Sequence, residues 1–227
     1  MMAPRAVKAV LIDLDGTMLD TVLDLHAAAN AMLRDFGRDE LSVETIRTYV
    51  GRGIPALVKR CITGRLDAAD DPASPPADAL ASFRRHYAES NGREAKIYPG
   101  VIDGLEAMKA KGLRLACITN KAEAFTAPLL ERTGLRSYFD VVVSGDTLPR
   151  AKPDPMPLIW VCGHFDLKPH DMLMVGDSRN DFLAARAAGC PIFLVPYGYN
   201  EGHDVRNLEG DAIVATLFEA AKLIAPA

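Results

Sequence analysis

Long apolar runs are missing from this sequence. The longest are strand-sized, far short of the roughly 20 residues a helix needs to cross a bilayer, so no membrane association is expected. A basic excess is missing too. Lysine and arginine total 26 against 30 aspartates and glutamates, a net charge of −4, which argues against a dedicated nucleic-acid binder. The four cysteines, Cys61, Cys117, Cys162 and Cys190, form no C-x-x-C pair, which removes the usual signature of a zinc site or a dithiol redox centre. Separate thiols suit a reducing compartment. Residues Met1 to Val7 lack the apolar stretch of a secretion signal, and a cytoplasmic protein is expected. Repeats and low-complexity tracts are absent. What is present is ordinary globular material: 227 residues, 49% apolar and 25% charged, with mean hydropathy +0.04. That is enough chain for one or two domains of roughly 100–200 residues each.

The first apolar run, Val7 to Asp13, is short and rich in valine, leucine and isoleucine, and reads as a buried strand. The character then changes. Val22, Leu25, Ala29, Met32, Leu33 and Phe36 recur at helical spacing over Thr21–Phe36, with Gly37 as a stop. Ser42 caps a second helix running to Val50, Ile54–Ile62 reads as a third, and Ala77–Ser90 as a fourth. Between the last two, Pro72, Pro75 and Pro76 mark Asp67–Asp78 as a loop. No strand pattern occurs from Thr21 to Asn91, so this stretch is expected to be an all-helical insertion.

Beyond Asn91 strands and helices alternate. Strands are expected at Leu113–Thr119, Val141–Ser144, Met172–Gly176 and Ile192–Val195. Helices are expected at Ala122–Thr133, Pro155–Phe165, Asn180–Ala188 and, as a terminal amphipathic helix, Ala212–Ile224. That alternation implies βαβ units and a parallel sheet. The fold class is therefore α/β: a Rossmann-like, doubly wound parallel sheet interrupted after its first strand. The expected division is a core of residues 1–18 and 92–227 and a helical cap of residues 19–91.

Ligands in open α/β sheets bind beyond the carboxyl ends of the strands. The residues expected there are Asp13 and Asp15, Thr119 and Asn120, Ser144-Gly145-Asp146, and Asp177. Lys152 follows the third group, held before Pro153-Asp154-Pro155. Acids, hydroxyl and amide donors and one cation suit a metal-assisted reaction on a phosphate. Asp13 and Asp15, two apart, project to the same side. A single aspartate after a strand is commonly only an Asx-type turn. The full string Asp13-x-Asp15-Gly16-Thr17-x-x-Asp20 is another matter. At average residue usage it arises by chance in about one sequence of this length in ten thousand. Asp177 and Asp181, four apart, offer the hard oxygens magnesium prefers. They also suit a plain helix start, with Asp177 or Ser178 as cap and Asp181 on the dipole. Lysine is a point cation suited to phosphate, although a loop lysine is commonly just solvated.

These four elements, in this order, resemble the haloacid dehalogenase superfamily over nearly the whole chain. The motifs stand as Asp13-Leu-Asp15-Gly16-Thr17, Thr119-Asn120, Lys152-Pro153-Asp154, and Gly176-Asp177-Ser178-Arg179-Asn180-Asp181. Members with a helical cap after the first strand form a known subclass. Val50-Gly51-Arg52-Gly53, Val175–Pro191 and Tyr197-Gly198-Tyr199-Asn200-Glu201-Gly202 resemble members acting on 2-phosphoglycolate. The resemblance implies a magnesium-dependent phosphatase, with Asp13 as nucleophile and Asp15 as general acid and base. It implies Mg2+ on Asp13, the Asp15 backbone carbonyl and Asp177, with Asp181 as an outer ligand. Thr119, Asn120 and Lys152 would grip the phosphoryl oxygens. Arg52, between two glycines, is a candidate fork for the carboxylate of a small acid; otherwise it is a solvated residue in a helix–helix turn. An unperturbed carboxylate with pKa near 3.9 would already be ionised at neutral pH.

Other substrates stay open at this point: a sugar phosphate, a nucleotide or pyrophosphate. So do a phosphomutase on the same scaffold and, more remotely, a non-catalytic phosphate-binding or signalling module. A dehalogenase would leave Asp15, Asp177 and Asp181 unexplained. The expected partner is a small phosphate ester, with no nucleic acid and no membrane, and the expected state a monomer or homodimer.

Overall fold

The computed structural model describes residues 5–226. The first apolar run is not one strand. A bend at Lys8 divides it into β1 (Arg5–Val7) and β2 (Ala9–Ile12), which serve different sheets. The Lys8 backbone N–H donates to the Asp171 carbonyl at 2.7 Å, and its carbonyl accepts from the Arg114 N–H at 3.1 Å. The chain continues through β3 (Leu19–Asp20) into the helices α1 (Val22–Asp35), α2 (Val43–Tyr49), α3 (Gly53–Thr63) and α4 (Ala77–Ser90). The stretch between α3 and α4 contains a short 3-10 turn, Leu66–Asp70, which overlaps the start of the expected loop. Then come β4 (Lys96–Ile97), α5 (Val101–Ala110), β5 (Arg114–Ile118), α6 (Glu123–Arg132) and β6 (Val141–Val143). Next are α7 (Met156–Phe165), β7 (Met172–Gly176), α8 (Arg179–Ala188) and β8 (Ile192–Leu194). The chain ends with β9 (Ala212–Ile213), α9 (Leu217–Lys222) and β10 (Ile224–Pro226).

The main sheet has six strands in the order β6-β5-β2-β7-β8-β9, every neighbouring pair parallel. Its pleat sorts side chains one residue at a time. Val10 and Ile12 of β2 enter a cluster with Leu105 and Met108 of α5 and Leu217 of α9. Ala9 and Leu11 enter the opposite one, with Leu158 and Val161 of α7 and Ala184 of α8. Both faces are thus covered, as an all-parallel sheet requires. Because the strands run the same way, the residues following β2, β5, β6 and β7 all emerge along one edge.

The four helices of the insertion build a cluster of their own from Leu25, Met32, Ile46, Leu57, Phe83 and Tyr87. Phe125 of α6 and Tyr199, from the loop after β8, join it from the core side. Both crossings between insertion and core are tied at the neck. β3 pairs antiparallel with β4, and the Asp24 carboxylate accepts the Gly92 and Glu94 backbone N–H groups at 2.7 and 2.8 Å.

The expected terminal helix over Ala212–Ile224 is replaced by strand, helix and strand. Ala212–Ile213 extends the main sheet beside β8, and Ile224–Pro226 pairs with β1. Only the middle is helical, started by the Thr216 side chain accepting from the Glu219 N–H at 3.1 Å. The buried residues Ala212, Val214, Leu217, Ala220, Ala221 and Ile224 satisfy both patterns, and sheet-edge pairing decides between them.

Candidate active site

Asp13 directly follows β2, the central strand, and Lys152 reaches it from the loop before α7. The Lys152 ammonium donates to Asp13 Oδ1 at 2.7 Å, to Asp181 Oδ1 at 2.6 Å and to the Ile118 carbonyl at 2.6 Å. All three donors of the ammonium are therefore engaged, and its side chain is 2% exposed. Burial alone would push the lysine toward neutrality; the Asp13 and Asp181 carboxylates outweigh it and hold it charged, well above its ordinary pKa. The second oxygen of Asp181 accepts from the Ser178 hydroxyl and backbone N–H at 2.7 and 3.1 Å. The helix-start reading of Asp181 is thus met by the same carboxylate that holds the Lys152 ammonium.

Asp177 follows β7. Its Oδ1 accepts from the Thr17 hydroxyl at 2.7 Å, and its Oδ2 from the Tyr199 backbone N–H. Two glycines make room for it. A Cβ on Gly16 would stand 2.2 Å from Asp177 Oδ2, and one on Gly198 would stand 2.1 Å from the same atom. Gly16 also has φ +90°, a conformation costly for any other residue. The segment 197–202, for which the sequence offered no physical role, thus cradles one carboxylate with its backbone. At its other end the Tyr199 hydroxyl accepts from the Thr21 and Val22 N–H groups at 2.9 and 3.1 Å, where α1 begins. Glu201 pairs with Arg60 of α3, whose side chain is 1% exposed.

The carboxylates of Asp13, Asp177 and Asp181 each offer an oxygen within 4.8 Å of the others, and all three residues are buried. Burial and mutual repulsion make this arrangement costly without a positive partner. The Asp13 carboxyl is raised to about 7, first by burial and then by Asp181, against the opposing pull of Lys152. The Asp177 carboxyl is raised well above the usual carboxylate range by burial and by Asp13 and Asp181. Burial thus makes Asp13 harder to ionise than an unperturbed carboxylate, and a further cation beside it favours the charged form. Hard oxygen donors, crowded and short of positive charge, fit a divalent ion.

Asp15 lies beside this group. Its Oδ1 accepts from the Thr21 hydroxyl at 2.7 Å, and both oxygens stand 3.3 Å from the Lys121 ammonium. Thr119 follows β5, and its hydroxyl accepts the Lys121 backbone N–H at 3.1 Å, a turn that puts both side chains on the cavity. Asn120 lines the same cavity and also holds the two parts of the chain together. Its amide donates to the Gly51 carbonyl at 3.0 Å and the Lys152 carbonyl at 2.8 Å, bridging insertion and core. Asn180 donates to the same Gly51 carbonyl at 3.3 Å.

These side chains line one cavity of about 50 Å³, closed on the helical side by Leu25, Val50, Ile54, Leu57 and Tyr87. Asp13, Asp15, Thr119, Asn120, Lys152 and Asp177 all reach it; Asp181 stands behind Lys152 and Ser178. Arg52 does not reach it. Gly51 and Gly53 on either side do, while the guanidinium turns outward to pair with Asp70. Sequence reasoning passed over Lys121 and gave Tyr199 no role of its own. The available signal was position: Lys121 is two residues past a strand-end threonine, hence on the same side of the turn.

The chain belongs to the haloacid dehalogenase-like hydrolases: the sequence profile of that family matches residues 10–195. Within that class it is 57% identical over 221 residues to a phosphoglycolate phosphatase of Nitrosospira multiformis, covering 97% of each chain. It is 53% identical over 224 residues to a phosphoglycolate phosphatase of Thiobacillus denitrificans, covering 99% of this chain and 98% of that one. Among solved structures, a predicted phosphoglycolate phosphatase from Haemophilus somnus superposes with a TM-score of 0.86 at 32% identity, over 96% of this chain and 97% of that one. Among the described residues no helix is long and apolar enough to cross a membrane.

Proposed function

We propose that this chain is a magnesium-dependent phosphatase that hydrolyses 2-phosphoglycolate to glycolate and phosphate through an aspartyl-phosphate on Asp13. The catalytic core is assigned to residues 1–18 and 92–227 and the cap to residues 19–91, whose first two residues form β3. The observation that carries the reading is the buried lysine clamp: Lys152 between Asp13 and Asp181, with Asp177 within reach of both acids. The names of the relatives supply the substrate.

In the reaction, a carboxylate oxygen of Asp13 attacks phosphorus and the bond to the glycolate oxygen breaks. Asp15 delivers a proton to the departing oxygen. Water then attacks the phosphoryl group, Asp15 takes its proton, and the bond to Asp13 breaks to release phosphate. Asp13, Asp177 and the Asp15 carbonyl would hold the magnesium ion, with Asp181 behind them, and the ion supplies double positive charge beside the phosphoryl oxygens. Lys152 and the Thr119 hydroxyl hold those oxygens in line, which is most of what phosphoryl transfer asks of a protein. The apolar cap wall excludes bulk water, which strengthens each of these contacts.

The test is phosphate release from a panel comprising 2-phosphoglycolate, a sugar phosphate, a nucleotide and pyrophosphate, with magnesium and with chelator. The expected result is a kcat/KM for 2-phosphoglycolate at least about tenfold above the others, lost on chelation. Better turnover of another ester, or full activity in chelator, rejects the reading.

A further inference from the structure

We propose that Lys121 recognises the carboxylate of the substrate, as the specificity-determining residue of this site. The inference rests on the phosphatase reading and names the group that selects an acidic leaving group.

The argument starts from charge. A phosphate ester of a hydroxy acid brings a second anion into a cavity whose side chains already include Asp13, Asp15 and Asp177. That anion needs a positive partner. Among the described residues the cations lining the cavity are Lys121 and Lys152, with no arginine or histidine. Lys152 has its three donors on Asp13, Asp181 and the Ile118 carbonyl, and so belongs to the phosphoryl end. The Arg52 guanidinium is engaged with Asp70 outside the cavity.

Lys121 is placed for the other end. Its ammonium stands 3.3 Å from each oxygen of Asp15, the group that serves the leaving oxygen. Only one methylene separates that oxygen from the carboxylate in 2-phosphoglycolate. Both Asp15 contacts are long for hydrogen bonds involving two charged groups. They leave the ammonium weakly satisfied from that side. On the other side the Tyr87 hydroxyl accepts from it, and the Tyr87 ring centroid lies 4.7 Å away. These contacts fix the end of an otherwise flexible chain. Lys121 is 5% exposed, so the charge works in a water-poor setting where a paired anion is held strongly.

Two esters of matched size decide the matter: 2-phosphoglycolate and 2-hydroxyethyl phosphate, in which an alcohol replaces the carboxylate. In the wild type, kcat/KM should favour the acid. In Lys121→Met, kcat/KM for the acid should fall at least about 30-fold, mostly through KM, as expected on removing one partner of a buried charge pair. The fall for the alcohol, which reports only the lost support of Asp15, should be at least about tenfold smaller than the fall for the acid. Lys121→Gln, which keeps a polar end without the charge, should show the same selective loss and carries the test if the Met variant does not fold; thermal melting distinguishes the cases. A parallel loss on both esters would show that Lys121 only supports Asp15 and would overturn the proposal. Equal wild-type activity on both esters would also overturn it. Failure of the broader phosphatase reading has a separate signature, no turnover of either ester by the wild type.

Discussion

The cavity wall contributed by the strand ends carries Asp13, Asp15, Thr119, Lys121, Lys152 and Asp177, whereas the wall contributed by α1, α3 and α4 carries Leu25, Ile54, Leu57 and Tyr87. One side is charged and fixed by a dense hydrogen-bond network. The other is apolar and touches the core through a few polar ties, among them the Gly51 carbonyl and Arg60. The division has a physical cause. Charges aimed at a reacting phosphorus must be held rigidly, and parallel strands packed on both faces do that best. Closing off water asks only for apolar bulk, which a helical insertion supplies.

That contrast can be broken most decisively at Asp13. Asp13→Asn should lower kcat at least about 10⁴-fold, in the range seen when a nucleophile is removed. Its melting temperature should stay level or rise, because a buried carboxyl repelled by Asp181 is gone. A collapse in stability instead would mean that the acid serves the fold. The next effect is the response to magnesium, read as a thermal shift. The cation-free Asp13 carboxyl is raised to about 7, so the folded state holds a proton that the unfolded chain loses near pH 4. On that count cation-free stability falls as pH rises from about 4 to about 7. Protons compete with the ion over the same window, so the shift should be large at pH 8 and small at pH 5.5. A shift that grows toward acid pH would contradict the assignment.

On the helical side the effects should be structural. Arg60→Met removes bonds to the Tyr49 and Leu66 carbonyls and the pair with Glu201. It should cost roughly 2 kcal/mol in a denaturant melt, while kcat stays within about threefold. A large fall in kcat at unchanged stability would put chemistry on the insertion after all. Smallest of all is Arg52→Ala, which should move kcat/KM for 2-phosphoglycolate by less than about twofold, since surface pairs of this kind contribute little. A selective rise in KM for the acid would return the carboxylate to Arg52 and away from Lys121.

The same division explains what could be read from the sequence. The helical spacing of Leu25, Met32 and Leu33, and the compact runs at Arg114–Ile118 and Met172–Gly176, come from burial that repeats locally, so pattern alone places those elements. Asp13, Asp177 and Lys152 are legible because strand-end chemistry sits in short contiguous strings. Lys121 was not, because an isolated lysine on a loop looks solvated until Tyr87, from α4, is seen against it. Segment 197–202 was opaque for a related reason. It works through the backbone N–H of Tyr199 and through the missing side chain of Gly198, neither of which a residue pattern displays. The split at Lys8 and the strand Ile224–Pro226 depend on pairing partners from the opposite end of the chain, and Ala212–Ile213 depends on the open edge of β8.

The position of β2 at the centre of the main sheet has a consequence for how the molecule comes into being. The strand leading to Asp13 is made well before its neighbours, which begin at Arg114 and Met172. Both of its edges stay bare while on the order of a hundred residues are made, and long loops must close before either is covered. The helical insertion, with a cluster built from its own segment, has no such wait. The strand end that carries Asp13 is thus among the last parts of the site to be locked, and Asp13 takes its place only when the downstream strands arrive.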